Sequence, residues 1–426
     1  MPRTKPDGRA VAIETLRKVD HERAFAASLL RFELNPLTPA DRGLATELVY
    51  GVLRRRGHLD AAIEWAARRC MKDIDPRLHT VLRVGTYQLM FLDRIPARAA
   101  VHTTVEIAKR YGGPRCGGFV NAVLRRVADA TPEERLRPAP ALEADPVGHL
   151  CGLGSVSRFV AELLLEALGA ADARAFLQAS LLPIPLTLRA NLLKVDRDAL
   201  VREVGGTPGT NPAAIRLPGS VGILPSELAC VADGRATPQD EAAMAVVELL
   251  DPQPGESILD VCAAPGGKTT HAAERMGNRG RIVATDRHPE RLARVEAARD
   301  RLSLTAIEVT PVMPERRAQF DRVLVDAPCS GLGTLRRHPE IRWRLSSDDV
   351  RALAKTQATI LAEAAEHVRP GGILVYSVCT VTRAENEDQL QALDENFERL
   401  DTFVSGPHQP GAPDGFFAAK LRRRIR

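Results

Sequence analysis

The chain has no run of about eighteen apolar residues, the minimum for a membrane-spanning helix, so no span is expected. Its first residues, Met1-Pro-Arg-Thr-Lys-Pro-Asp-Gly-Arg9, hold no apolar segment of the secretory-signal kind. Cysteine is scarce and odd in number: seven residues, scattered, with no C-x-x-C pair. That argues against a disulfide framework and a structural zinc site, and fits a reducing cytoplasm. Aromatic residues make up only 4%, too few for a sheet surface that stacks many bases. Neither sign of charge dominates: 59 Lys and Arg stand against 54 Asp and Glu, for a net charge of +5. Such an excess suits an acidic partner without requiring one.

What the chain does have is length and regular patterning. With 426 residues and 44% hydrophobic content, it can build two or three domains. Residues 7–130 read as an all-helical bundle. Helical spacing covers 8–30, then runs from Thr38 (as N-cap) and Pro39 to Leu53, and returns over 59–69, 76–92, 99–111 and 116–130. Arg54-Arg55-Arg56, Arg68-Arg69 and Arg125-Arg126 read as solvated helix faces, with a nucleic-acid face as the lesser alternative. Prolines make 131–149 a linker. Residues 150–235 read as a small α/β subdomain, with a helix over 156–181 and a strand over 186–190. From 236 to 426 strands (257–261, 281–286, 306–309, 322–325, 372–377) alternate with helices (240–250, 269–276, 289–302, 347–367). That order predicts a parallel sheet with helices on both faces.

The chemistry concentrates at the strand ends of this last region, where open α/β sheets bind ligands. Cys262-Ala-Ala-Pro-Gly-Gly-Lys268 joins a strand to a helix and admits three readings. A P-loop needs glycine where Cys262 stands, and would use Asp326 as a magnesium carboxylate. A dinucleotide fingerprint needs G-x-G-x-x-G, which is absent. The third reading is a loop for S-adenosylmethionine, with Asp286 at the next strand end placed to bond ribose hydroxyls. Asp326 and Cys329 follow another strand, with Arg336, Arg337 and His338 beyond, and Cys379 follows a further one. A thiol becomes nucleophilic as thiolate near cations, and Arg336, Arg337 and Arg383 are candidates for that role. Thiol chemistry beside a sulfonium fits methylation of an inert carbon. Addition of a thiolate at C6 of a pyrimidine makes C5 enamine-like, so that C5 can attack a methyl group.

Three motifs carry a family resemblance: L-D-V-C-A-A-P-G-G-K-T from Leu259, L-V-D-A-P-C-S-G-L-G-T-L-R-R-H-P-E-I-R-W from Leu324, and Y-S-V-C-T-V-T-R-A-E-N-E-D from Tyr376. Together they resemble the RNA cytosine-5 methyltransferases of the NOL1/NOP2/Sun family. Residues 7–130 resemble its NusB-like RNA-binding domain, and Asp414-Gly-Phe-Phe-Ala-Ala-Lys420 its closing strand. The combination is similar to bacterial members acting on 16S rRNA. The resemblance implies an all-α NusB-like bundle, a small α/β subdomain and a Rossmann-like class I methyltransferase domain. It implies S-adenosylmethionine held by Cys262, Ala263, Ala264, Pro265, Gly266, Gly267 and Lys268, with Asp286 on the ribose. Asp326 would meet cofactor and cytosine ring, Cys379 would attack C6, and Cys329 would aid release as the base at C5. Arg336, Arg337 and His338 would face the RNA. The expected enzyme is cytoplasmic, monomeric and metal-free, and modifies 16S rRNA or a small-subunit precursor at a position-967 type cytosine. One departure stands out. The family carries an acid after the third strand, near the adenine, whereas this chain reads Ile307-Glu-Val-Thr-Pro-Val-Met-Pro314. A decayed, RNA-binding site is the alternative that this departure motivates.

Overall fold

Side chains legible in the sequence fix the helix starts. Asp7, Thr38 and Asp75 each accept a hydrogen bond from a backbone N–H two or three residues on, and Pro39 and Pro76 occupy first turns. A computed structural model describes residues 7–136, 138–219, 223–315, 317–406 and 412–425. The chain folds as two compact units. One holds the described residues up to Pro183, together with Ile223 and Leu335–Arg344; the other holds 184–219, Leu224–Thr334 and the chain from Leu345 onward.

The helical unit contains Gly8–Glu22, Ala26–Glu33, Pro39–Ala67, Pro76–Phe91, Ala97–Asp129 and Arg158–Ser180. The helix expected over 8–30 breaks at Arg23, which adopts φ 53°. Residues 39–67, expected as two segments, form one helix, because no proline or cap interrupts them. Gly51 lets this helix approach its neighbour: an added Cβ would lie 2.0 Å from the Tyr87 ring. The long helix over 97–129 is interrupted at Gly112 and Gly113, as the gap between 111 and 116 predicts, and Gly113 takes φ 74°. Linker residues 131–149 include the short helix Pro132–Arg135 with a Thr131–Glu134 capping box. The helix Arg158–Ser180, drawn from sequence into the small subdomain, groups with the helical unit. The arginine run is not simply solvated. Arg54 is buried, and Arg54, Arg55 and Arg56 lie over the rings of Tyr50, Phe91 and Trp343.

The second unit carries two sheets. Strands β1 (Leu186–Ala190), β2 (Thr207–Pro208), β3 (Ala214–Leu217) and β4 (Ala236–Pro238) form an antiparallel sheet in the order β2-β3-β1-β4. The larger sheet contains β5 (Ser257–Asp260), β6 (Arg281–Ala284), β7 (Ile307–Val309), β8 (Phe320–Asp326), β9 (Val368–Val378), β10 (Phe397–Ser405) and β11 (Phe416–Arg423), in the order β10-β11-β9-β8-β5-β6-β7. Strands β5 to β9 pair parallel, as expected; β11 and β10 add an antiparallel edge. Strand β10 lacks a sequence signal because both faces are largely polar (Glu398, Arg399, Asp401, Thr402). Apolar side chains bury both faces of the sheet: Ile258, Ile282, Leu324 and Val375 on one, Leu259, Val283, Val323 and Leu374 on the other. Strand β5 lies between β6 and β8, so the strand order reverses beside it, where α/β sheets take their ligands. Among the described residues, no helix is long and apolar enough to cross a membrane.

Candidate active site

Register brings the two thiols together. Parallel pairing of β8 and β9 sets Asp326 opposite Ser377. Cys329 and Cys379 follow three and two residues later, and their Sγ atoms lie 3.2 Å apart. Both are half-buried and so reachable. Contact with Cys379, reinforced by burial, pushes the Cys329 thiol well above its ordinary range. The protonated form of Cys329 is favoured, and either sulfur can be the donor in this contact. Cys262 also remains a thiol, pushed up by burial and then by the carboxylates of Asp260, Asp326 and Asp286.

The glycine loop faces them across the switch point. Gly266 takes φ 99° and Gly267 begins the helix Gly267–Arg275. A Cβ added at Gly267 would meet nothing nearer than 3.9 Å, so the helix start is open. Lys268 Nζ lies 2.7 Å from Asp326 Oδ2, and Ser377 Oγ donates to Asp326 Oδ1 at 2.9 Å. Asp286 is buried and accepts from the backbone N–H groups of Ala264 and His288. Asp260, at the end of β5, accepts from Thr269 Oγ1 at 2.7 Å, while its Oδ1 has no partner among the described residues. Burial, opposed by that hydrogen bond, raises its carboxyl from 3.8 to about 7. The folded state thus holds this proton more tightly than the unfolded chain. The resulting stabilisation is complete below the unfolded value and is lost as pH rises through about 7. Asp260→Asn keeps the Thr269 bond and removes the titration. From about pH 5.5 to about pH 7.5 the wild type should lose about 2 kcal/mol relative to this variant. Urea unfolding at both pH values checks this; parallel profiles would refute it.

Residues 247–422 match the family model of the 16S rRNA methyltransferases RsmB/F, and residues 6–129 match the NusB family. The chain is 35% identical to the probable ribosomal RNA small subunit methyltransferase B of Bacillus subtilis (strain 168), over 99% of each chain. This chain belongs to the RsmB/F family. It is also 35% identical to the ribosomal RNA small subunit methyltransferase B of Vibrio cholerae serotype O1, over 98% of this chain and 97% of that one. Among solved structures, PH0851 superposes with a TM-score of 0.79 at 24% identity, over 98% of each chain, a likeness of fold. The expected architecture, a helical NusB domain followed by a Rossmann-like methyltransferase domain, is the one observed.

Within this RsmB/F fold, Cys262–Lys268, Asp286, Asp326, Cys329 and Cys379 all gather at one edge of the larger sheet. The segment Leu335–Arg344, which carries Arg336, Arg337 and His338, groups with the helical unit. Arg336 is buried, which is at odds with its expected RNA-facing role. Burial lowers the His338 imidazole to about 4 and keeps it neutral near pH 7. The buried anchor of this segment is Arg342, which donates to Gly154 O, Ser180 O and Ser180 Oγ. Arg383, the other cation expected beside a thiol, is exposed and pairs with Asp388 at 3.1 Å. On the third strand, Glu308 points to Arg281 at 2.7 Å, and the half-buried Met313 lies 3.4 Å from Thr285 Oγ1.

Two residues of the site escaped sequence reasoning. Glu385 is fully buried and accepts from Ser330 N, Gln357 Nε2, Thr380 Oγ1 and Thr382 Oγ1. One carboxylate therefore fastens the loop after Cys329 to the loop after Cys379. Glu385→Gln replaces an acceptor oxygen with a donor. It should lower kcat about 100-fold by loosening the sulfurs' placement, and a kcat within twofold of wild type would exclude this positioning role. Arg189, on β1, is fully buried and donates to Glu274, Gln239, Thr270 and the Gly267 carbonyl. It ties the small sheet to the first turn of the helix that follows the glycine loop. Arg189 lacks a local signal because its partners lie 50 to 85 positions away; for Glu385 the hidden partners are Ser330 and Gln357, 55 and 28 positions away, while Thr380 and Thr382 lie within five residues.

Proposed function

We propose that this enzyme transfers a methyl group from S-adenosylmethionine to C5 of a cytosine in 16S rRNA, of the position-967 type, through a covalent bond between Cys379 and C6. The observation that carries the reading is the 3.2 Å apposition of Cys329 and Cys379 beside Asp326. A single thiol suffices to attack C6. A second thiol is what release needs, when C5 gives up its proton, the C5–C6 double bond re-forms and the C6 sulfur departs with the electron pair of its bond. Cys329 is accordingly assigned to release: it takes the C5 proton, as the resemblance implies, and its own proton passes to the departing Cys379 sulfur, so that the C6–S bond breaks with both protons accounted for. The Asp326 carboxylate is an acceptor, and cytosine offers its exocyclic amine as donor where uracil offers a carbonyl. That distinction favours cytosine.

The residues present fit the cofactor. The open start of the helix at Gly267 and the backbone of Ala263–Gly267 suit its amino-acid part, and the buried Asp286 suits ribose hydroxyls. The unpartnered Oδ1 of Asp260 lies behind the same loop. Met313 and Thr285 take the side where the family carries an acid, so the adenine would meet a thioether there. S-Adenosylmethionine supplies an electrophilic methyl group. The protein's own part is to hold the base against Cys379, exclude water and keep the proton on Cys329. The NusB domain is assigned to RNA binding, with salt-sensitive affinity through phosphate contacts.

The test is methyl transfer from labelled S-adenosylmethionine to unmodified 16S rRNA, with bisulfite mapping of rRNA from a deletion strain. Label in 5-methylcytosine, and loss of one such residue in the strain, support the reading. Label in another base or on ribose overturns it.

A further inference from the structure

The helical unit contains a cavity that the methyl-transfer chemistry leaves unused. Its volume is about 510 Å³, and all of its lining residues belong to this one unit. That size falls within the range of small-ligand sites. Six arginines line it, against two carboxylates. Part of the positive charge is neutralised internally: Asp20 lies 3.1 Å from Arg56 and 3.6 Å from Arg83, and Arg83 also holds Asp60 at 2.7 Å. Two further guanidinium groups are held by partners that do not line the cavity, one by a ring and one by a carboxylate. Arg17 lies over the Tyr111 ring at 4.9 Å, and the exposed Arg77 forks onto its sequence neighbour Asp75.

Two features make this more than a basic surface. Trp343 forms part of the wall, with the Arg56 guanidinium 5.4 Å from its ring centroid. Glu340 also lines the cavity and is 3% exposed. Its Oε1 accepts from Ala26 N, and its Oε2 has no hydrogen-bond partner among the described residues. A wall built for bare anions has no use for a buried carboxylate acceptor, which repels them. Arginines, an indole and an unsatisfied acceptor match three parts of a ribonucleotide: its phosphate, its base and a hydroxyl or amine donor.

We propose that this cavity binds a nucleotide of the RNA substrate in addition to the base that is methylated. The inference rests on the reading of the protein as an RNA methyltransferase. The segment that carries Trp343 and Glu340 follows Cys329 directly in sequence, so one continuous stretch supplies residues to the catalytic site and to this cavity.

The test uses the full-length protein and transcribed 16S rRNA, with affinity measured over a series of salt concentrations. Arg17→Gln/Arg77→Gln should weaken binding and flatten the salt slope by about 1 per arginine, while Arg17→Lys/Arg77→Lys restores most of it. An unchanged far-ultraviolet circular dichroism spectrum and thermal melting midpoint show that the variant is folded. An unchanged affinity and slope overturn the cavity's role and leave the methyl-transfer reading standing. Failure of the wild type to methylate the same RNA overturns that reading instead. A second arm follows Trp343 fluorescence in a Trp65→Phe background. Quenching by a tetraribonucleotide but not by inorganic phosphate supports a nucleotide site; equal quenching by both overturns it.

Discussion

Cys379→Ala should abolish methyl transfer to 16S rRNA and leave no covalent complex with it. The expected fall in rate is at least about 10³-fold, because C5 of cytosine has no nucleophilicity of its own until a thiolate adds at C6. The assignment to Cys379 rests on the company the sulfur keeps. Cys262 and Cys329 are both held as thiols by their surroundings, and Cys329 places its sulfur 3.2 Å from that of Cys379. The measurement is transfer of a labelled methyl group, with S-adenosylmethionine binding as the control for folding. A rate equal to wild type would remove Cys379 from the mechanism and, with it, the covalent route.

Cys329→Ala has the opposite signature. Attack at C6 should still proceed, but the proton on C5 has lost its route to the departing Cys379 sulfur. The enzyme should accumulate as a covalent adduct with RNA and turn over little. A denaturing gel then shows a retarded band that the wild type shows faintly or not at all, and that disappears in the Cys329→Ala/Cys379→Ala double variant. Absence of the band in the single variant counts against a role in release. The two substitutions together separate bond formation from bond breaking, which a loss of activity alone does not do.

Much of this site was legible before any coordinates. Asp326, Cys329 and Cys379 stand just past apolar runs, and the turn Pro265-Gly266-Gly267 opens a helix, so strand-end chemistry could be read from local pattern. The helix starts at Thr38 and Asp75 were legible for the same reason, since a cap acts within three residues. Misreadings arose where distance in sequence hides the partner. Arg336 and Arg337 read as cations beside a thiol because they follow Cys329 closely. The structure instead groups their segment with the helical unit, anchored by Arg342. Glu385 looked like one polar residue among several in Arg383-Ala-Glu-Asn-Glu387, and only its four donors show that it joins two loops.

The sequence by itself determined the class of the fold, the strand ends that bear the thiols and the acid, and the helical character of the first 130 residues. These follow from periodicity and from caps and turns, whose causes lie within a few residues. Tertiary structure alone decided that the two thiols meet, which carboxylate fastens the two loops, and which unit takes the segment that begins at Leu335. Those outcomes depend on burial and on the parallel register of β8 and β9, quantities set by contacts between residues some fifty positions apart.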